Sequence, residues 1–189
     1  MARFGEQSAR TYYNARGWMA HVIYNPWGFT APGEGADWGS ASTGGAWVGT
    51  HLWKHYQYTN DLGFLKSVYP LMKGSADFFR DILITEPTHK WLVTAPSNSP
   101  ENAYILPDGQ QGQTCMGPTM DMQIGREILS TGIAAAEILK VDKAWADTLK
   151  EVVARLAPNQ ISPSFGGIQE WLQDYKEAVE VANAYIDQY

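Results

Sequence analysis

Apolar residues recur at helical spacing in several separate stretches of this chain, and that recurrence limits its possible folds more than any other feature. The strongest case lies between residues 119 and 140, where one stripe comprises Met120, Ile124, Ile128, Ala135 and Leu139 and a flank of Leu129, Ile133 and Ala136 widens it. A face this wide is typical of a helix that packs against more than one neighbour. The chain is therefore expected to build its core from helices.

The same spacing predicts further helices, and strand patterns are almost absent. We expect helices over residues 3–16, 44–59, 70–84, 119–140 and 142–156 and over the last fifteen residues. Thr43 and Thr119 are expected to cap two of them, and Pro70 to lie in the first turn of a third. Only 91–95 resembles a strand. We predict an all-α fold in which long loops gather at one end, the layout of an (α/α) toroid.

Composition excludes several classes of partner. Apolar residues make up 44% and charged residues 18% of the 189 positions, as in a folded globular chain. The net charge of -6 gives no reason to expect nucleic acid or an anionic membrane as a partner. No apolar stretch approaches the roughly 20 residues that span a bilayer.

Neither a metal nor another cofactor is expected. Cys115 is the only cysteine, so no internal disulfide can form, and zinc-binding spacings are absent. His51 and His55 lie four apart on a predicted helix, but they have no third ligand in local register. A pair on the helix surface or at a helix interface is the simpler interpretation.

Aromatic residues are concentrated in a long loop. The chain has eight tryptophans and ten tyrosines, and aromatic faces are a common platform for the C–H faces of sugars. Residues 18–42 lack helical spacing yet contain Trp18, Trp27 and Trp38. Loops of this length inside a compact domain tend to be functional or disordered, and three tryptophans argue against disorder.

The segment from Trp91 to Tyr104 is a candidate catalytic loop. Pro96 and Pro100 restrict the backbone around the single ionisable side chain, Glu101. A carboxyl held on a stiff loop among aromatic rings can have its pKa raised by desolvation, which suits a general acid. The alternative is a solvated glutamate on a surface loop.

Several motifs, taken in order and spacing, resemble the catalytic domain of family 95 glycoside hydrolases, the α-L-fucosidases. They are Gly17–His21, Trp27–Gly28, Thr30–Pro32, Gly45–Trp47, His51–Trp53, Tyr69–Pro70, Trp91–Thr94, Pro96–Ser97, Ser99–Asn102, Thr119–Asp121 and Gly167–Trp171. The resemblance covers roughly residues 10–175. It implies an (α/α)6 barrel that hydrolyses terminal α-linked L-fucose, with some members acting on L-galactose.

The resemblance also implies an inverting mechanism, in which an acid protonates the leaving oxygen and water attacks the opposite face of the sugar. The family's acid falls in its Ser-Pro-Glu motif, which places it at Glu101. The family holds the water with an asparagine pair upstream and an aspartate downstream, in a Gln-Ile-Asp-Gly-Asn context. Neither motif occurs in this sequence.

Two further departures separate this chain from the family pattern. The family usually continues past the position of Asp174 into a His-Arg-His segment, whereas this chain has no histidine after His89 and a variant tail after about residue 175. Asn25 stands where many relatives have an acidic residue. We therefore expect residues 1–189 to be one partial catalytic domain, about half of a toroid, whose exposed helix faces favour self-association or contact with the missing remainder of the barrel.

The resemblance suggests a set of substrate contacts around the acid. Trp27 and Trp38 would face the sugar, and His21, Asn25 and Asn102 would supply polar contacts. Glu170 could line the cleft, as could Asp174, although capping or packing would also account for either residue. The tryptophans could instead seal the mouth of the barrel.

Three functions remain open at this point. The first is hydrolysis of a fucosylated oligosaccharide or glycan, with an extracellular or periplasmic location fitting a longer parent enzyme. The second is a helical fragment that binds carbohydrate or a partner without catalysis, which the missing base motifs favour. The third is another (α/α) barrel enzyme such as a polysaccharide lyase, against which the Ser-Pro-Glu loop argues.

Overall fold

In a computed structural model, residues 1–100 and 102–178 are described. Six helices occur in this part of the chain: α1 (Ala2–Tyr13), α2 (Ala36–Gly39), α3 (Gly44–Thr59), α4 (Leu62–Ile82), α5 (Thr119–Leu139) and α6 (Lys143–Arg155). Seven two-residue strands accompany them: β1 (Ile84–Thr85), β2 (Leu92–Val93), β3 (Ser97–Asn98), β4 (Tyr104–Ile105), β5 (Gln111–Gly112), β6 (Thr114–Cys115) and β7 (Lys176–Glu177).

Two helical hairpins form the core. Helices α3 and α4 are joined at Asn60 and Asp61, and α5 and α6 are joined by residues 140–142. Helix α5 packs against α3, α4 and α6, as its wide apolar face predicts. The main core cluster contains Phe79 from α4, Ile128 from α5 and Leu149 from α6, which are all fully buried.

A close approach joins the two hairpins. A side-chain carbon added at Gly125 of α5 would lie 1.9 Å from the Phe79 ring, so the ring rests directly on the glycine backbone. Next to Gly125 on α5, the Arg126 guanidinium donates to the carbonyl oxygens of Val153 and Ala157, each at 3.1 Å. These carbonyls lie at and just beyond the end of α6, where a cation is favourable.

Helix α1 packs on α4 in an apolar cluster that includes Ala9 and Phe78, and polar contacts attach the segment after α1. Arg16, just after α1, forms a two-pronged ion pair with Asp81, with Nε to Oδ2 at 2.7 Å and Nη2 to Oδ1 at 2.5 Å. The Trp18 indole nitrogen donates to the Leu71 carbonyl oxygen at 2.8 Å. The beginning of the 18–42 loop is thereby attached to the helical core.

Three small antiparallel sheets cover one end of the helices. β1 pairs with β2, β3 pairs with β6, and β4 lies between β5 and β7. The expectation of an all-α fold is correct only in outline: about half of the chain is helical, but most of the α4–α5 connection is organised by strand pairs. These strands are too short to leave a periodic signal in the sequence.

Several predicted boundaries are wrong. The helix expected over 70–84 begins at Leu62, because the Asp61 carboxylate caps it by accepting from the Phe64 amide at 2.9 Å. Pro70 therefore lies inside the helix rather than in its first turn. Helix α1 ends at Tyr13, three residues before the predicted end, because Asn14 adopts a left-handed conformation with φ of 50°.

The predicted caps and the predicted final helix also need correction. Thr43 precedes α3 but its hydroxyl does not cap the helix, and Pro118 takes the capping position expected of Thr119. Both hydroxyls bond elsewhere, as described below. Lys176 and Glu177, predicted as helix, form strand β7, while residues 179–189 lie outside the described residues.

The helices of the described residues include none with the length and apolarity needed to cross a membrane.

Candidate active site

The loop that contains Glu101 emerges from the end of β2 and crosses the first turn of α5. Glu101 itself, the predicted general acid, lies outside the described residues. The residues on both sides of it are described, and they are firmly held. Ser97, Asn98 and Ser99 are almost completely buried and Pro100 is half-buried, whereas Asn102 is exposed.

A buried carboxylate holds the beginning of the loop. Asp121, in the first turn of α5, is fully buried. Its Oδ2 accepts from the hydroxyls of Thr94 and Ser97, each at 2.6 Å, and its Oδ1 accepts from the Thr43 hydroxyl at 2.9 Å. Burial raises the pKa of Asp121, and the three hydroxyl donors oppose that rise. One side chain therefore joins α3, α5 and the loop.

A second carboxylate holds the loop beyond Glu101. The Glu170 Oε1 atom accepts from the Ser99 hydroxyl and, at 3.1 Å, from the Asn102 side-chain amide. The Asn102 backbone amide donates to the Ser99 carbonyl oxygen at 2.8 Å, so the chain reverses between these two residues. Thr119 secures Glu170 in turn, since its backbone amide donates to the Glu170 carbonyl oxygen at 2.9 Å.

Asp121 thus holds Thr94 and Ser97, Glu170 holds Ser99 and Asn102, and both carboxylates are tied to the start of α5. The Thr119 hydroxyl, rather than capping the helix, donates to the Gln169 carbonyl oxygen at 2.6 Å. Asp121 follows two positions later. The first turn of α5 is consequently the platform on which the loop is built.

A cavity of about 530 Å³ lies beside this loop. Pro100, the residue before Glu101, forms part of its wall, and Trp47 and His51 line it from adjacent turns of α3. Tyr24 and Met120 contribute further apolar surface. A cavity of this volume with aromatic walls can hold a monosaccharide against ring faces.

The chain matches the family described as the glycosyl hydrolase family 95 catalytic domain over residues 1–182. It belongs to this family. It is 38% identical over 176 residues to Alpha-L-fucosidase 2 of Arabidopsis thaliana. The aligned region covers 92% of this chain and 21% of that protein. It is 28% identical over 177 residues to Probable alpha-fucosidase A of Aspergillus niger. The aligned region covers 92% of this chain and 22% of that protein. The chain spans about a fifth of the length of these curated relatives.

Two of the contacts that the family resemblance suggests lie together. Asn102 and Glu170 are hydrogen-bonded to each other across the Ser-Pro-Glu segment. Both are next to the candidate acid, Asn102 along the chain and Glu170 through Ser99. Their contact with a substrate remains a prediction.

His21 and Asn25 organise the 18–42 loop. The His21 ring is fully buried: its Nδ1 lies 3.1 Å from the Thr30 carbonyl oxygen, an acceptor, so Nδ1 carries the proton. Nε2 is then the acceptor for the Tyr13 hydroxyl at 2.7 Å. Burial lowers the pKa of His21, which favours this neutral form. The arrangement favours a positioning role over direct contact with a sugar.

The Asn25 side-chain oxygen is likewise used within the loop. It accepts from the backbone amides of Trp27 at 3.1 Å and Phe29 at 3.2 Å, which closes the turn around Trp27. Trp27 stands 87% exposed, whereas Trp38 lies over the backbone of Gly33 and Gly35 in its own loop. The walls of the 530 Å³ cavity include neither tryptophan.

The aromatic rings expected on both sides of Glu101 have other partners. Trp91 stacks on His89 with ring centres 4.1 Å apart, and Tyr104 stacks on Tyr175 at 4.3 Å. The Tyr104 hydroxyl donates to the Thr114 carbonyl oxygen at 2.7 Å. These rings stabilise the base of the loop.

Asp174 and Cys115 are not placed as reactive groups of the site, although Cys115 pairs with Ser97 through the β3–β6 strands. The Asp174 carboxylate accepts from the Ser164 hydroxyl, which is a local contact within the last described loop. Burial raises the pKa of the Cys115 thiol to about 12, so at neutral pH it is not a nucleophile. No group of three His, Cys, Asp or Glu side chains in residues 1–100 and 102–178 could hold a metal ion.

Sequence reasoning did not find the lining of the cavity or the full role of Asp121. Trp47 and His51 are separated by four positions and so share a face of α3, a signal that the sequence analysis used only for His51 and His55. From the sequence, Asp121 is recognised only as the last residue of the Thr119–Asp121 motif. Its three hydroxyl partners lie 24 to 78 positions away, beyond the reach of any local pattern.

Proposed function

We propose that the protein containing this chain hydrolyses terminal α-linked L-fucose with inversion, and that Glu101 is its general acid. Membership of glycoside hydrolase family 95 and the two relatives named as fucosidases support this proposal. The observation that carries it is the anchored Ser-Pro-Glu segment, which Asp121 and Glu170 hold beside a cavity of about 530 Å³.

The chemistry assigned to Glu101 is a single proton transfer. The carboxylic acid gives its proton to the glycosidic oxygen as the bond from that oxygen to the anomeric carbon breaks. A water oxygen bonds to the opposite face of the same carbon, and the proton it loses passes to a base. In the proposed mechanism that base belongs to the family motifs that do not occur in these 189 residues. Catalysis would then require residues outside this sequence.

The cavity beside Pro100 is the proposed site of the sugar. Trp47 is 59% exposed, which leaves its ring face free to pack on the C–H face of a fucose. His51, one turn further along α3, can donate to or accept from a sugar hydroxyl. Asn102 and Glu170 lie at the Glu101 side of the site and are proposed to contact the substrate there.

The helices are proposed to form part of an (α/α)6 toroid. Several large apolar side chains on α1, α3 and α4 are exposed, namely Phe4, Tyr58, Leu62 and Leu71. Neighbouring helices of a toroid would cover such residues. In the absence of those neighbours, we expect the same faces to promote self-association of this chain.

The direct test is release of L-fucose from an α-1,2-linked fucosyl oligosaccharide. We expect turnover by the protein as its gene encodes it and none by residues 1–189 alone. In the active form, Glu101→Gln should lower kcat by about 10² to 10⁴, because it removes the proton donor without changing the side-chain shape. Trp47→Ala should raise KM with a smaller effect on kcat.

The outcomes separate the candidate functions. Wild-type rates with Glu101→Gln would exclude Glu101 as the acid, and rapid turnover by residues 1–189 alone would contradict the assignment of the base to other segments. The second candidate, a non-catalytic carbohydrate-binding fragment, is favoured by the missing base motifs. Calorimetric binding of the oligosaccharide without turnover by any form of the protein would support it.

A further inference from the structure

We propose that Asp121 is a positioning residue for the general acid, acting through Thr94 and Ser97 to fix the start of the Ser-Pro-Glu loop. This inference rests on the proposed function, because it concerns how well Glu101 protonates a leaving group. Asp121 is fully buried and is not among the residues that line the 530 Å³ cavity. Its influence on the reaction would therefore be indirect.

The hydrogen bonds to Asp121 are concentrated on the loop. Two of its three donors, Thr94 and Ser97, flank Ala95 and Pro96, and both donate to the same oxygen at 2.6 Å. Hydroxyl groups that donate to a carboxylate form short bonds of this kind, which are stronger than those between neutral groups. The third donor, Thr43, ties the same carboxylate to the start of α3 at 2.9 Å.

The backbone contacts of this part of the loop reach another segment of the same connection rather than a helix. The Thr94 carbonyl oxygen accepts from the Gly117 amide at 2.8 Å, and Ser97 pairs with Cys115 in the β3–β6 strand pair. Both contacts are to residues 114–117, which lie in the same connection between α4 and α5. The Asp121 side chain joins Thr94 and Ser97 to α5, while the Ser40 hydroxyl, at the end of α2, donates to the Asn98 side-chain oxygen at 2.9 Å.

A carboxylate suits this position better than any neutral side chain. It has two acceptor oxygens and no donor, so it accepts all three hydroxyl protons. An asparagine of the same shape has one acceptor oxygen. Its NH₂ group would replace the other carboxylate oxygen and would face a hydroxyl proton that in the wild type is donated to that oxygen. Asp121→Asn therefore keeps the volume but forces at least one donor to turn away.

Loss of this positioning should lower the rate mainly for substrates whose leaving group needs a proton. Small displacements of a catalytic group lower rates strongly, since proton transfer requires hydrogen-bond contact with the leaving oxygen. An α-linked fucosyl oligosaccharide has a poor leaving group and depends on the acid. α-L-Fucosyl fluoride loses fluoride with far less help from a proton donor, so its hydrolysis should be spared.

The experiment compares these two substrates in the protein as its gene encodes it. We expect Asp121→Asn and Thr94→Val to lower kcat/KM for the oligosaccharide by about tenfold to a hundredfold and to change that for the fluoride less than about threefold. Thr94→Ser keeps the hydroxyl and should restore the oligosaccharide rate to within about threefold of wild type. Ile128→Val, further along α5 in the apolar core, is the control for lost stability and should leave the ratio of the two rates unchanged.

The possible outcomes distinguish failure of the positioning role of Asp121 from failure of the proposed hydrolytic function. If the wild type hydrolyses both substrates and the Thr94→Val variant loses both rates equally, or neither, the positioning role is overturned and the proposed function stands. If Asp121→Asn does not fold, the Thr94→Val and Thr94→Ser pair decides the question alone. A wild type that hydrolyses neither substrate overturns the proposed function and the inference with it.

Discussion

Phe79 and Asp121 lie on the neighbouring helices α4 and α5 and are both fully buried, yet they hold different parts of the molecule together. Phe79 rests its ring on the Gly125 backbone and joins two helical hairpins by apolar contact. Asp121 gathers three hydroxyls and joins the loop side of the molecule to the helices. Apolar contact tolerates small shifts, whereas hydrogen bonds to a carboxylate fix direction as well as distance. Under the proposed function, the polar anchor thus lies where the general acid has to be oriented.

The largest effect on stability is expected from the helical side of this comparison. Phe79→Ala should lower the free energy of unfolding by about 3 to 5 kcal/mol, because it removes a buried ring and leaves a cavity above Gly125. Urea denaturation followed by far-UV circular dichroism measures this difference. Phe79→Leu, which keeps an apolar side chain of smaller volume, is the matched control and should cost less. A loss below about 1 kcal/mol for the alanine variant would show that the hairpins do not depend on this contact.

A smaller loss of stability is expected on the polar side. Asp121→Ala should lower the free energy of unfolding by about 2 kcal/mol, since three hydroxyls lose an acceptor while the cost of burying a carboxylate disappears. We expect the near-UV circular dichroism of the loop aromatic residues to change in this variant while the far-UV signal of the helices is kept. Equal loss of both signals would mean that Asp121 stabilises the helices as much as the loop.

The smallest effect on stability is expected from an ion pair between α4 and the residue that precedes α6. Asp142 lies 2.6 Å from the Lys73 ammonium and accepts from the Tyr69 hydroxyl at 2.9 Å, and these hydrogen bonds lower its pKa. A carboxyl with a lowered pKa stabilises the fold above its unfolded-state pKa and loses that effect as pH falls through the folded-state value. Because the pair is about one-third exposed, Asp142→Asn should cost less than about 1 kcal/mol at pH 7.

The difference between this variant and the wild type should begin to shrink as the pH falls below about 4, the ordinary pKa of an aspartate, and should vanish only below the lowered folded-state pKa. Urea denaturation at pH 7 and pH 3 checks whether the difference is smaller at the lower pH. A stability difference that is the same at both pH values would mean that packing, and not charge, accounts for the contribution of Asp142.

The comparison also explains which features the sequence could predict. The helices α3, α5 and α6 were predicted to within a few residues because their apolar stripes repeat over three or more turns. The predicted start of α4 is wrong because a proline is favoured in the first turn of a helix, which points to Pro70. The actual start is set by the Asp61 cap, three residues before Phe64. β2 falls within the predicted strand segment 91–95, but the other two-residue strands carry no repeat and could not be predicted.

The candidate site was predictable where a motif is contiguous and unpredictable where it is assembled from distant residues. The Ser-Pro-Glu segment, with Asn102 beside it, is read directly from the chain, and Glu170 was found through the family resemblance. The network around Asp121 combines residues from two helices and a loop, and each partner alone is an ordinary serine or threonine. Only the folded structure shows that their hydroxyls meet.

The spacing of the loop anchors along the chain has a consequence for the order of folding. The hydrogen bond from Thr43 to Asp121 closes 78 positions of chain, and that from Ser99 to Glu170 closes 71. Contacts so far apart in sequence bear a large loop-closure entropy and tend to form after local helical hairpins. The hairpins can thus assemble before the loop is anchored to them. Under the proposed function, the ability to donate a proton would be among the last properties that the folding chain acquires.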